Sequence, residues 1–179
     1  MEIQNQDIEQ VNYASFGQRL NAYMIDFLIF MPINEFANDR FFLQKDIGLV
    51  IISALLWMLY KTFMEWKWGA TIGKRILGLR VQSSIESELS IHQIMVRFIP
   101  YFAIGFSKIL LFYNLLQIPG FMEATDIESI TVYFNELPVL GPMACYLYFL
   151  YSVIKIFSSE KKQSLQDQLS NTICISIRR

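Results

Sequence analysis

Charge is what this chain has least of: Asp, Glu, Lys and Arg make up 17% of its 179 residues, against about a quarter in ordinary soluble domains. Beside an apolar share of 54%, that shortage excludes a water-soluble globule and demands a second solvent. Histidine occurs once and cysteine twice, too few ligands for a metal site, and no nucleophilic catalytic set is visible. No enzymatic activity, metal or cofactor is expected. Cys145 lies inside an apolar run and Cys174 in the polar tail, so a bridge between them would join membrane depth to the surface, and no disulfide is expected. The start lacks a basic cluster ahead of a short apolar core and carries Glu2, Asp7 and Glu9 instead. The first apolar run is therefore read as part of the mature chain and not as a cleaved signal. The basic residues border apolar runs without forming a domain of their own, which argues against nucleic acid as a partner. No internal repeat or low-complexity tract divides residues 1–179, which read as one domain.

What is abundant points to lipid. Aromatic residues reach 15%, with fifteen Phe and nine Tyr, suited to lipid-facing helices with polar-tipped rings at the interfaces. Crossing a hydrocarbon core of about 30 Å takes roughly 20 helical residues, because backbone groups in lipid must bond within their own helix. Four stretches qualify, at about residues 20–36, 47–64, 96–118 and 138–157. The first is the most polar, with Asp26, Pro32, Asn34 and Glu35. The fold class expected is an all-α membrane protein with four transmembrane helices. An in-plane amphipathic segment in place of the first span is the alternative, and it breaks the even count.

Lys and Arg in short loops favour the cytoplasmic side. One side of the four-span arrangement holds Arg19, then Lys67, Lys74, Arg75, Arg80 and Arg97, then Lys155, Lys161, Lys162, Arg178 and Arg179. The other holds Arg40 and Lys45, and its second loop, residues 119–137, carries Glu123, Asp126, Glu128 and Glu136 with no base. Both termini are thus placed in the cytoplasm. On that side, residues 77–82 and 172–177 are short, β-branched or apolar, and bounded by Gly or polar residues, as strands are. They either pair beneath the bundle or run as separate extended tails.

Three pieces of sequence carry a resemblance. They are Phe16 to Asp26, with Arg19 at the mouth of the first apolar run and Asp26 inside it; Gly69 to Val81, followed by Arg97; and Gln163 to Thr172, with Asp167. In this order they resemble the RDD family, named for one arginine and two aspartates. The family usually has His-Asp in the third piece, where this chain has Gln166-Asp167. A histidine relays protons near neutral pH and a glutamine does not, so proton coupling here rests on carboxylates. The resemblance implies a bacterial cell-membrane protein and suggests transport, with cation/proton antiport attributed to at least one member.

Asp26 is the residue that most needs a partner, because an ionised carboxylate at membrane depth costs several kcal/mol unless paired or hydrated. Arg19 shares its helix face but lies about 10 Å away along the axis. Lys61 and Lys108, on the second and third spans, are better placed, and a protonated Asp26 is the third option. Asp26 is the candidate ion or proton site, within a polar network of Arg19, Asn34, Glu35, Lys61, Arg97, Lys108 and Asp167. The competing reading makes the same charges fixed links that lock the bundle. Asp167 is expected to dock the tail onto Arg19 or Arg97, or else to cap a turn in solvent. Gly69 to Val81 fails as a phosphate loop, since Trp68 stands at the first Gly position and Arg75 follows Lys74. It reads as a basic surface loop near anionic headgroups, with Trp66 and Trp68 as interface anchors. Two functions follow: a small-solute or cation/proton transporter working as a homodimer with a monovalent cation or proton, or a noncatalytic membrane scaffold. The lipid bilayer is a partner in both.

Overall fold

Three polar caps decide where three of the helices begin. Ser15 Oγ accepts from the Gln18 N–H while Gln18 Oε1 accepts from the Ser15 N–H, at 3.3 and 2.9 Å. This reciprocal capping box satisfies donors that a helix start leaves unpaired. Ser90 with Gln93 and Ser164 with Asp167 repeat the device. A computed structural model describes residues 11–85, 88–124, 130, 132, 133, 137 and 140–177. Glu2, Asp7, Glu9, Asp126, Glu128, Glu136, Arg178, Arg179 and the first two positions of the expected stretch 138–157 lie outside the described residues.

Helix α1 spans Phe16–Gln44 and continues through Pro32. Lys45 ends it in the left-handed conformation, its N–H donating to the Phe41 carbonyl. Helix α2, Gly48–Trp68, ends at Gly69, also left-handed, where a side chain would strain the backbone. The five-residue α3, Ile72–Ile76, leads into strand β1, Leu79–Ser83. Then come α4, Ile91–Gln117, a short 3-10 turn at Phe121–Glu123, α5, Leu140–Ser158, the short α6, Leu165–Leu169, and β2, Thr172–Ser176. The long helices begin and end within a few residues of the expected apolar stretches, except that α1 runs well past position 36.

Helices α2 and α4 are each long and apolar enough to cross a membrane. Their apolar surface is not consumed by packing: Ile52, Leu55, Leu59 and Phe63 on α2, and Ile99, Phe102, Phe106 and Leu110 on α4, are exposed. A helix apolar on its outward face needs lipid or another chain to cover it. Helix α5 adds a shorter apolar stretch, Met143–Ser158. Trp66 and Trp68, at the end of α2, are exposed as interface anchors require.

The two strand-like segments do pair. β1 and β2 run antiparallel, with Leu79 opposite Ser176 and Ser83 opposite Thr172. A third extended segment joins them: Ala14 N–H donates to the Cys174 carbonyl at 2.9 Å, Ser176 N–H donates to the Asn12 carbonyl at 2.7 Å, and Tyr13 bridges Ile175. The segment ahead of α1, the chain after α3 and the tail therefore meet at one end of the bundle, over a small core of Ala14, Ala22, Leu79, Val81 and Cys174. A second apolar cluster, built around Phe41, Val50, Phe112, Leu115 and Phe121, packs where α1, α2, α4 and the 3-10 turn meet.

Residues 69–81 do not form the surface loop expected of them. Gly69 turns the chain back so that α3 packs on α1, and Lys74 points inward while Arg75 and Arg80 stay exposed. Gly73 has small-residue spacing with Gly69 for a reason of close approach. A Cβ on Gly73 would lie 2.0 Å from the Ala22 carbonyl oxygen.

Candidate functional site

Asp26 sits on α1 with no exposed surface, and three donors from two other elements converge on its carboxylate. Lys61 Nζ, from α2, donates at 2.5 Å and Tyr60 Oη at 2.6 Å, while the Gly73 N–H, from α3, donates at 2.8 Å. Tyr60 is held in turn by the Ile72 N–H at 2.9 Å. Of the two bases proposed as partners, the fold selects Lys61. Its ammonium also lies 4.7 Å from the Trp57 ring centroid and 5.3 Å from that of Tyr23, within reach of cation–π attraction. The pair is neutral as a unit, which offsets part of the cost of burying a lone carboxylate.

Toward the sheet lies a second group, chained by alternating charge. Lys74 Nζ donates to Glu65 Oε1 at 2.5 Å and Arg97 Nε to Glu65 Oε2 at 3.0 Å. Arg97 then pairs with Asp167 and donates to Thr172 Oγ1 at 2.6 Å. Arg19 closes the chain, donating to Asp167 Oδ2 at 2.5 Å and to the Lys162 carbonyl at 2.8 Å. Asp167 thus docks the tail on both arginines, not on one of the two. Burial opposes its charge, but Arg97 and Arg19 outweigh burial and hold the carboxyl well below the usual carboxylate range. Burial likewise opposes the Lys74 ammonium, and Glu65 more than restores it, so its pKa is raised. No water-sized space remains between Lys61, Glu65, Arg97 and Tyr101.

Asn34, Glu35 and Lys108 belong to neither group, so the single polar network expected from sequence is three separate sets. Lys108 Nζ donates to Asn34 Oδ1 at 3.1 Å and does not reach Asp26. Both residues, with Glu35 and Asn38, line a cleft of about 280 Å³ between α1, α2 and α4. Asp26 is not among the residues lining it.

Several members of these sets escaped the sequence reading. Glu65 and Tyr60 are not singled out there as site residues, Gly73 falls only within the segment Gly69 to Val81, and Lys74 reads only as a base on the cytoplasmic side. The available signal was the placement of Lys61 and Glu65 four residues apart on one face of a helix end. Gln166, in place of the family's usual histidine, bridges two rings at long range: its Nε2 lies 3.4 Å from Tyr101 Oη and its Oε1 3.5 Å from Tyr148 Oη.

The buried Asp26 and Asp167 and the partly buried Arg19 thus anchor the two charged sets, and the family model described as the RDD family matches residues 13–171. The chain belongs to the RDD family. Nothing among curated proteins or solved structures matches it. The RDD match begins at the bridging Tyr13 and ends at Asn171, ahead of β2, so it takes in every charged residue of both sets. Among the described residues of this RDD protein no group of three or more His, Cys, Asp or Glu is placed to hold a metal ion.

Proposed function

We propose that the chain is a four-span membrane protein with both termini in the cytoplasm, acting as a noncatalytic scaffold whose buried charges lock the bundle and its tail. The observation that carries this reading is Asp26, which has no exposed surface and is held by Tyr60, Lys61 and Gly73. An ion or proton site must exchange its occupant with water, and a carboxylate saturated by fixed donors resists doing so.

Four crossings are supported by the apolar α2 and α4, and by the pairing of Asp26 with Lys61, which lets the more polar α1 enter lipid without a net buried charge there. The shared sheet supports a common side for both ends of the chain, since residues 12–14 and β2 belong to it. Arg19, Lys67, Arg75, Arg80 and Lys155 lie toward the same end by sequence, in keeping with a cytoplasmic face.

The test is cation-dependent proton flux in proteoliposomes, comparing the wild type with Asp26→Asn at matched incorporation. The expected result is no flux above empty vesicles in either, with the wild type shown to be folded. Flux that appears with sodium or potassium and vanishes in the variant would overturn the scaffold reading. Stability of Asp26→Asn, Lys61→Met and the double variant gives the complementary result. Each single change is expected to cost about 3 kcal/mol or more, and the double much less than their sum.

Small-solute transport is the second reading, favoured by the cleft that Asn34 and Lys108 line. In that case a functional homodimer is expected, since four spans make a small path.

A further inference from the structure

The cleft between α1, α2 and α4 has features that neither lock uses. Counting 1.5 Å per residue, Asn34 stands about 27 Å along α1 and Lys108 about 25 Å along α4 from their sheet-side ends. That depth is well inside the bundle. Lys108 has a neutral hydrogen-bond partner, Asn34 Oδ1, and among the described residues it forms no ion pair. Glu35 lines the same cleft and is likewise without an ion pair among the described residues. Asn38 Oδ1 is buried and has no hydrogen-bond partner. A buried acceptor left unpaired costs roughly 1–3 kcal/mol, so a donor brought to it gains more than one brought to solvent.

The walls are of another kind. Tyr23, Phe27 and Trp57 give the cleft aromatic surface, and Ala54 and Gly105 keep room beside it. At about 280 Å³ it falls just below the usual range of ligand sites, about 300 to 1,000 Å³, so its occupant must be small. One ammonium, one carboxylate, an unpaired amide oxygen and an apolar wall make an unusual combination. A simple anion meets repulsion from Glu35, a simple cation meets Lys108, and an uncharged apolar molecule leaves Asn38 Oδ1 unpaired and gives neither charge an ion pair.

From this we infer that the cleft binds a small zwitterion with an apolar side group, of the α-amino acid class. The ligand carboxylate faces Lys108, its ammonium faces Glu35 and Asn38 Oδ1, and its side group lies on the aromatic wall. The inference rests on the cleft alone and holds whether or not the chain moves solute.

The experiment uses the full chain in nanodiscs of phosphatidylglycerol, so that no ammonium-bearing lipid competes. Calorimetric titration compares phenylalanine with N-acetylphenylalanine, which lacks the ammonium, and phenylalanine amide, which lacks the carboxylate. Phenylalanine is expected to bind, and each analogue to bind about tenfold more weakly or worse, the loss of one charged partner. Lys108→Met and Glu35→Gln should each weaken phenylalanine by a similar factor. Lys108→Met should leave the amide unaffected, and Glu35→Gln should leave the N-acetyl compound unaffected. Protection of Cys174 from alkylation checks that each variant is folded, and the exposed Glu35 supplies a substitution that leaves the core intact. Absence of phenylalanine binding at millimolar concentration by the folded wild type overturns the inference. Equal binding of phenylalanine and N-acetylphenylalanine overturns it too, because Glu35 then plays no part. Proton flux is read separately, so failure of the scaffold reading and failure of this one are distinct results.

Discussion

Arg97 and Asp167, seventy positions apart in sequence, meet as a buried ion pair that joins the longest apolar helix to the C-terminal tail. Asp167 also receives Arg19 from α1, so one carboxylate fixes three parts of the chain. It caps α6 as well, accepting from the Ser164 N–H at 3.0 Å.

Asp167→Asn leaves Arg97 buried opposite a neutral amide. Breaking a buried pair from one side costs about 3–5 kcal/mol, and part of that loss falls on the tail, which Asp167 docks onto Arg97 and Arg19. Cys174 reports the outcome, since it is 1% exposed beneath Ala14 and Leu79. In a Cys145→Ser background, maleimide labelling of Cys174 in membranes should be slow in the parent and faster by about tenfold or more in Asp167→Asn. Equal labelling rates would show that the pair does not hold the tail.

The pH dependence follows from three groups outside the long helices. Asp167 has a depressed pKa, so its contribution is complete above the ordinary carboxylate range and is lost as pH falls through the depressed value. Lys74 has a raised pKa, so its contribution is complete below the ordinary lysine range and is lost only as pH rises through the raised value. Burial also raises Cys174, which costs stability once the unfolded thiol ionises above about pH 8.5. Melting of the purified protein, followed by tryptophan fluorescence, should therefore be flat between about pH 5 and pH 8, and fall on both sides. In Asp167→Asn the loss on the acid side should shrink; an unchanged acid limb would assign that limb to other carboxylates.

Gly73 and Gly17 make a matched pair of substitutions. Alanine at Gly73 would drive its Cβ into the Ala22 carbonyl, which is backbone and cannot swing aside, and would push the N–H away from Asp26. A loss of about 2 kcal/mol or more is expected. At Gly17 nothing lies within 4 Å of the new Cβ, and the helix gains from alanine by as much as about 1 kcal/mol. Thermal melting of the two variants side by side checks both signs.

Much of the charged anchoring was legible in the sequence, because charge is rare here and a rare charge among apolar residues needs an opposite. That Asp26 needs a partner, with Lys61 and Lys108 as candidates, and that Asp167 is a candidate to dock on Arg19 or Arg97, follow from that necessity. Glu65 was not legible in the same way, since a carboxylate near a helix end is ordinarily solvated. Only the fold-back of α3 at Gly69 sets Lys74 and Arg97 on either side of it. The third extended segment, residues 12–14, carries no alternating pattern long enough to read as a strand. It joins the pair by a single bridge because β2 has an edge beside it that β1 does not cover.

The sequence by itself determined that this chain needs a non-aqueous solvent, where its long helices fall and which charges need partners. Those properties depend on composition and on the 3.6-residue period, which are local. Tertiary structure decided which base takes Asp26, that both arginines share Asp167, and that Asn34 and Lys108 stand apart at a cleft. Those outcomes depend on distances between helices distant in sequence, and a difference of a few ångströms separates a buried ion pair from two unrelated charges.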